Sequence, residues 1–123
     1  MLTKTVRKAA GLLSMSVAMM LAATQAEAHA NLVSAVPAKD ATVAAPDMIV
    51  LHFSEALEMK VSGVKLTDID GSPVTIKPAK APDAKSLAAT PAAPLAPGLY
   101  TVSWTSMGDD AHKMTGNYSF TVK

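Results

Sequence analysis

Short runs of alternating apolar and polar residues, each stopped by proline, glycine or a polar turn, push this chain toward β structure. All eight Pro and five of the six Gly lie after residue 28, scattered rather than clustered, so they punctuate segments instead of forming a linker. Leu32 to Val36 reads as an opening strand ended by Pro37. Met48 to Ser54 puts Ile49, Leu51 and Phe53 on one face and Val50, His52 and Ser54 on the other. Val61 to Ile69 follows, Asp70-Gly71 marks a hairpin turn, and Pro73 to Lys77 is the return strand. Ser86 to Thr90 is a weaker strand. Leu99 to Ser106 carries Tyr100, Val102 and Trp104 on one face, and Asn117 to Val122 carries Tyr118, Phe120 and Val122. Seven short strands spaced by turns predict an all-β, antiparallel sandwich. Its core is expected from Leu51, Phe53, Tyr100, Trp104 and Phe120, with Leu95 to Tyr100 as a tyrosine-corner entry to a late strand. One short helical piece is expected at Ala56 to Lys60.

The first 28 residues differ in character. Lys4, Arg7 and Lys8 make a basic start, Ala9 to Ala23 is uncharged and apolar, and Ala26-Glu27-Ala28 is a small-x-small cleavage pattern. A membrane anchor is the rival reading, but the uncharged run is barely long enough to span and no stop-transfer charges follow it. The expected organisation is a secretory signal helix at 1–28, cleaved after Ala28, and one domain at 29–123. That domain would hold eight Lys against nine Asp and Glu, a formal charge of −1. Such a balance excludes a basic nucleic-acid face and a polybasic membrane anchor.

The chain has no Cys. Disulfides, thiol redox chemistry, thiolate zinc sites and Cys-ligated blue copper are therefore excluded. Chemistry falls to three His and to Met48, Met59, Met107 and Met114. His29 stands out because cleavage would make it the N-terminus. Its α-amine and Nδ1 could then close a chelate ring on a metal. Asp110-Ala111-His112, between the last two strands, could aim a carboxylate oxygen and an imidazole nitrogen at one ion. His52 and Glu55, in Leu51-His52-Phe53-Ser54-Glu55, lie near a strand end, where a surface or hydrogen-bonding role suits His52 better than ligation. Each feature alone has an ordinary explanation: a frayed terminus, a polar hairpin, a solvated histidine. Together they make three nitrogens and one oxygen, a set that suits Cu(II) in a tetragonal arrangement, or Zn(II) tetrahedrally, and not Mg(II) or Ca(II).

With those segments in their order, the chain resembles the CopC/PcoC family of periplasmic copper-binding proteins. The marks are His29 followed by Asn31 to Pro37, the run Leu51 to Glu55, the run Pro94 to Trp104, and Asp110-Ala111-His112 before Thr115-Gly116. The resemblance implies an immunoglobulin-like, or cupredoxin-like, Greek-key sandwich. It also implies one Cu(II) per mature chain, bound by His29, Asp110 and His112, with Glu55 close by as an outer partner. Some members carry a Met-rich Cu(I) loop in mid-chain, whereas Gly63 to Pro78 here contains no Met, which implies a Cu(II)-only member. Lys113 stands where relatives often have Pro.

The expected function is a periplasmic, monomeric carrier or sequestering protein for copper, with no nucleic-acid partner. The family implies handover to an inner-membrane copper transporter of the CopD type. The alternative is a copper-dependent oxidative enzyme built on an N-terminal histidine brace. Such an enzyme needs an open coordination position and a flat aromatic face. Asp110 would fill the first, and five aromatics spent mostly on core faces leave little for the second.

Overall fold

The computed structural model describes residues 29–123, so the expected signal helix lies outside the described residues. Nine strands form two sheets. The first sheet has the order β1 (Leu32–Val36), β3 (Ile49–Phe53), β7 (Ser86–Pro91) and β6 (Ile76–Ala79). The second has the order β2 (Thr42–Val43), β9 (Lys113–Val122), β8 (Gly98–Met107), β4 (Gly63–Asp68) and β5 (Pro73–Val74). The chain crosses between sheets repeatedly, as in a Greek-key sandwich.

Alternation accounts for the core. Ile49, Leu51 and Phe53 point inward from β3, Tyr100 and Val102 from β8, and Tyr118, Phe120 and Val122 from β9, and all are buried. Trp104 continues the inward face of β8 but is only partly buried, edge-on to Phe53 at 5.2 Å between ring centroids. It lies opposite Gly116 across the β8–β9 ladder, and a Cβ at 116 would overlap the indole. The tyrosine corner is present: Tyr100 donates its hydroxyl hydrogen to the Ala96 carbonyl at 2.7 Å. The Asp70-Gly71 turn is closed by Asp68, whose Oδ1 accepts the N–H groups of Asp70 and Ser72, with Gly71 at φ +82.

Three expectations need correction. There are nine strands rather than seven, because Thr42-Val43 is too short to show a period and the expected strand Pro73 to Lys77 divides at Thr75. Its first part pairs with β4 in one sheet and its continuation with β7 in the other. Pairing is antiparallel except between β2 and β9, which run parallel. The helical piece is a 3-10 turn at Met59–Val61, not a turn over Ala56 to Lys60.

Candidate metal centre

The β8–β9 hairpin is the longest ladder of the fold, paired from Gly98↔Val122 to Met107↔Lys113, so its connecting loop at 108–112 is held on a rigid base. Within the loop Ala111 adopts φ 61 and donates its N–H to the Gly108 carbonyl at 3.1 Å. That reversal folds His112 back onto Asp110. Asp110 Oδ1 accepts the His112 backbone N–H at 3.1 Å, and Oδ2 lies 3.0 Å from His112 Nδ1.

His29 arrives from the other end of the sequence. Its Nδ1 lies 2.9 Å from the same Asp110 Oδ2, and its ring stands edge-on to the His112 ring at 5.0 Å between centroids. The Asp110 carboxyl is held below the usual carboxylate range. The backbone N–H of His112 is the main cause; partial burial opposes the shift, and the two imidazoles reinforce it. Asp110 is the most sheltered of the three, His29 is intermediate, and His112 is exposed.

His29, Asp110 and His112 each offer a donor atom within 4.8 Å of the others, the one such group of three among the described residues. Adjacent donors on an ion with bonds of about 2.0 Å at right angles are separated by about 2.8 Å. The two nitrogen–oxygen separations of 2.9 and 3.0 Å are close to that edge, so one ion could meet all three atoms with small adjustments. Two imidazoles and a carboxylate suit a borderline cation over a hard one.

The other sequence candidates lie apart from this group. His52 Nδ1 is 2.8 Å from the buried Ser86 hydroxyl, which donates to Asp83 Oδ1 at 3.0 Å, in keeping with a hydrogen-bonding role. Glu55 is exposed and outside the three-residue group. Its neighbour Ser54, and Ser106 on β8, have no role in the site that their sequence pattern reveals, yet both donate to the backbone that carries His29. The one signal for Ser106 is a hydroxyl on a strand face otherwise made of Tyr100, Val102 and Trp104.

Residues 32–123 match the family model for the CopC domain. Copper resistance protein C of Escherichia coli is 45% identical over 109 residues, covering 82% of this chain and 86% of the relative. Copper resistance protein C of Pseudomonas syringae pv. tomato is 41% identical over 111 residues, covering 85% and 88% respectively. The crystal structure of PcoC, a methionine-rich copper resistance protein from Escherichia coli, superposes with a TM-score of 0.72 at 46% identity, covering 78% of this chain and 100% of that one.

Proposed function

The chain belongs to the CopC family, and on that premise we propose that it is a periplasmic copper-resistance protein taking up one Cu(II) at His29, Asp110 and His112. The observation that carries this reading is the convergence of two imidazole Nδ1 atoms on one carboxylate oxygen from opposite ends of the chain. Cu(II) heads the divalent affinity series for such donors. In the processed protein the α-amine of His29 adds a fourth donor and closes a chelate ring. In the uncleaved chain that nitrogen is an amide and a poor donor, so removal of residues 1–28 completes the site.

Carriage or sequestration fits better than catalysis. Phe53, Tyr100, Tyr118 and Phe120 are buried, which leaves the partly buried Trp104 as the single aromatic ring to face a polymeric substrate. The chain acts as a monomer and passes its cargo to a CopD-type membrane transporter. Among the described residues no helix is long and apolar enough to cross a membrane. The absence of Met from Gly63 to Pro78 supports a Cu(II)-only protein, in contrast to the methionine-rich PcoC.

The test compares three forms recovered after export, their N-termini read by mass spectrometry: the processed chain, a form with Gly-Ser added before His29, and His29→Ala. All three should give the same circular dichroism. The extended and His29→Ala forms should lose most of their Cu(II) affinity in competition with a chelator. Electron paramagnetic resonance of the processed form should show nitrogen hyperfine structure. Equal affinity in the extended form would remove the amine from the ligand set. A strong Cu(I) site surviving loss of His29 and His112 would overturn the Cu(II)-only reading.

A further inference from the structure

Two serines grip the backbone on which the N-terminal imidazole is mounted. Ser106 is fully buried, and its hydroxyl donates to the Ala30 carbonyl at 2.7 Å. Ala30 is itself fully buried, so its methyl seats in the core while its carbonyl is tied to β8. Ser54, just beyond β3, donates its hydroxyl hydrogen to the His29 carbonyl at 3.1 Å. Ser54 Oγ in turn accepts the Asn31 N–H at 3.0 Å, and the Ser54 N–H donates to the Asn31 carbonyl at 2.9 Å. Consecutive carbonyls, at 29 and 30, are thereby fixed from the two different sheets.

Strand pairing does not demand this arrangement. β1 begins at Leu32, and its register with β3 is irregular between Leu32 and Ser34, so His29 and Ala30 precede the regular ladder. A terminal segment without a ladder ordinarily frays. Ordering it at the moment of metal binding would subtract backbone conformational entropy from the affinity. A hydroxyl placed on the core side of β8 is costly unless it meets a partner, and its partner here is the carbonyl of Ala30, the residue next to His29.

We infer that Ser54 and Ser106 are positioning residues that preorganise His29 toward Asp110 and His112 before any metal arrives. With both carbonyls fixed, the search left to His29 lies in its own side-chain torsions and the bond to its nitrogen. The proposal rests on the metal-site reading for its effect on copper, and on hydrogen bonds alone for its effect on the backbone, so the two can fail separately.

The experiment uses processed protein carrying Ser54→Ala, Ser106→Ala or Ser54→Thr, with Ser103→Ala on the solvent face of β8 as a control. Backbone 15N relaxation of the metal-free proteins should show raised mobility at Ala30 and Asn31 in both alanine variants and in neither of the others. Cu(II) affinity should fall about tenfold or more in each alanine variant, the scale seen when outer partners of metal ligands are removed. The resonance spectrum should gain a second, nitrogen-poorer component, and Ser54→Thr should restore the parent spectrum. A loss of general stability alone would not produce that second component. Parent-like relaxation at residues 30 and 31 in both alanine variants overturns the inference, whatever copper does. Parent-like affinity and spectrum alongside raised mobility also overturn it, because positioning would then be irrelevant to the site. Should Ser106→Ala fail to fold, the half-buried Ser54 decides the matter. If the parent itself binds no copper, the metal-site reading fails and the relaxation data still judge the clamp.

Discussion

His29 and His112 present the same atom, Nδ1, to the same oxygen, Asp110 Oδ2, at 2.9 and 3.0 Å. One of these contacts is local, between residues two apart. The other joins positions 81 residues apart, so it depends on the whole sandwich having formed.

Substitutions in the loop should therefore separate cleanly. Asp110→Ala and His112→Ala should each weaken Cu(II) binding in a chelator competition, His112→Ala more, since imidazole is the better donor to this ion. Asp109→Ala should leave affinity within about twofold, because Asp109 is exposed and outside the donor group. Equal losses at 109 and 110 would show that the other carboxylate also takes part.

Asp83 gives a pH signature outside the group of His29, Asp110 and His112. Its carboxyl is held below the ordinary range, chiefly by the Lys85 backbone N–H and then the Ser86 hydroxyl. A carboxyl with a depressed folded-state pKa contributes stability fully above its unfolded value of about 3.9, and that contribution disappears as pH falls through the folded value. The melting temperature of the parent should exceed that of Asp83→Asn by a constant small gap from pH 7 to about 5. The gap should close below about pH 4. A gap that persists at pH 2.5 would assign it to packing instead.

Tyr118 carries a buried hydroxyl with no hydrogen-bond partner among the described residues, and burial pushes its pKa up to about 12. Removing an unpaired buried polar atom should not destabilise. Tyr118→Phe should melt at or above the parent temperature, with a gain of up to about 1 kcal/mol. A loss of that size would mean the hydroxyl is bonded in solution, through a bound water for example.

Of Gly63, Gly71, Gly98 and Gly116, the last alone has no room for a Cβ. Trp104 lies across it, and a Cβ there would overlap the six-membered ring. Gly116→Ala should cost about 1–3 kcal/mol by denaturant unfolding, as overpacked sites do. It should also alter tryptophan fluorescence in the folded state. An unchanged midpoint would show that the indole moves aside freely.

The alternating runs made β3, β8 and β9 legible from sequence, because one buried sheet face imposes a period of two. Thr42-Val43 left no such trace, and its parallel pairing with Thr121 and Val122 depends on a long-range approach. The division of Pro73 to Lys77 between sheets was equally invisible, since a strand that changes sheets keeps its alternation. Of the site, His29, Asp110 and His112 were nameable because their side chains have donor chemistry of their own. Ser54 and Ser106 were not, because a serine that binds a backbone carbonyl leaves no pattern beyond its own presence.

The placement of the three donors has a mechanical consequence. His29 is anchored beside the first sheet, at the end of β3, while Asp110 and His112 belong to the hairpin of the second. An ion held by all three would be a rivet through both layers, in a domain with no cysteine to supply a permanent one. Unlike a disulfide, this rivet follows mass action: its contribution grows with the logarithm of free metal and vanishes when the metal leaves. The same fold would then resist separation of its two sheets more strongly when laden than when empty, a difference a recipient could read by touch.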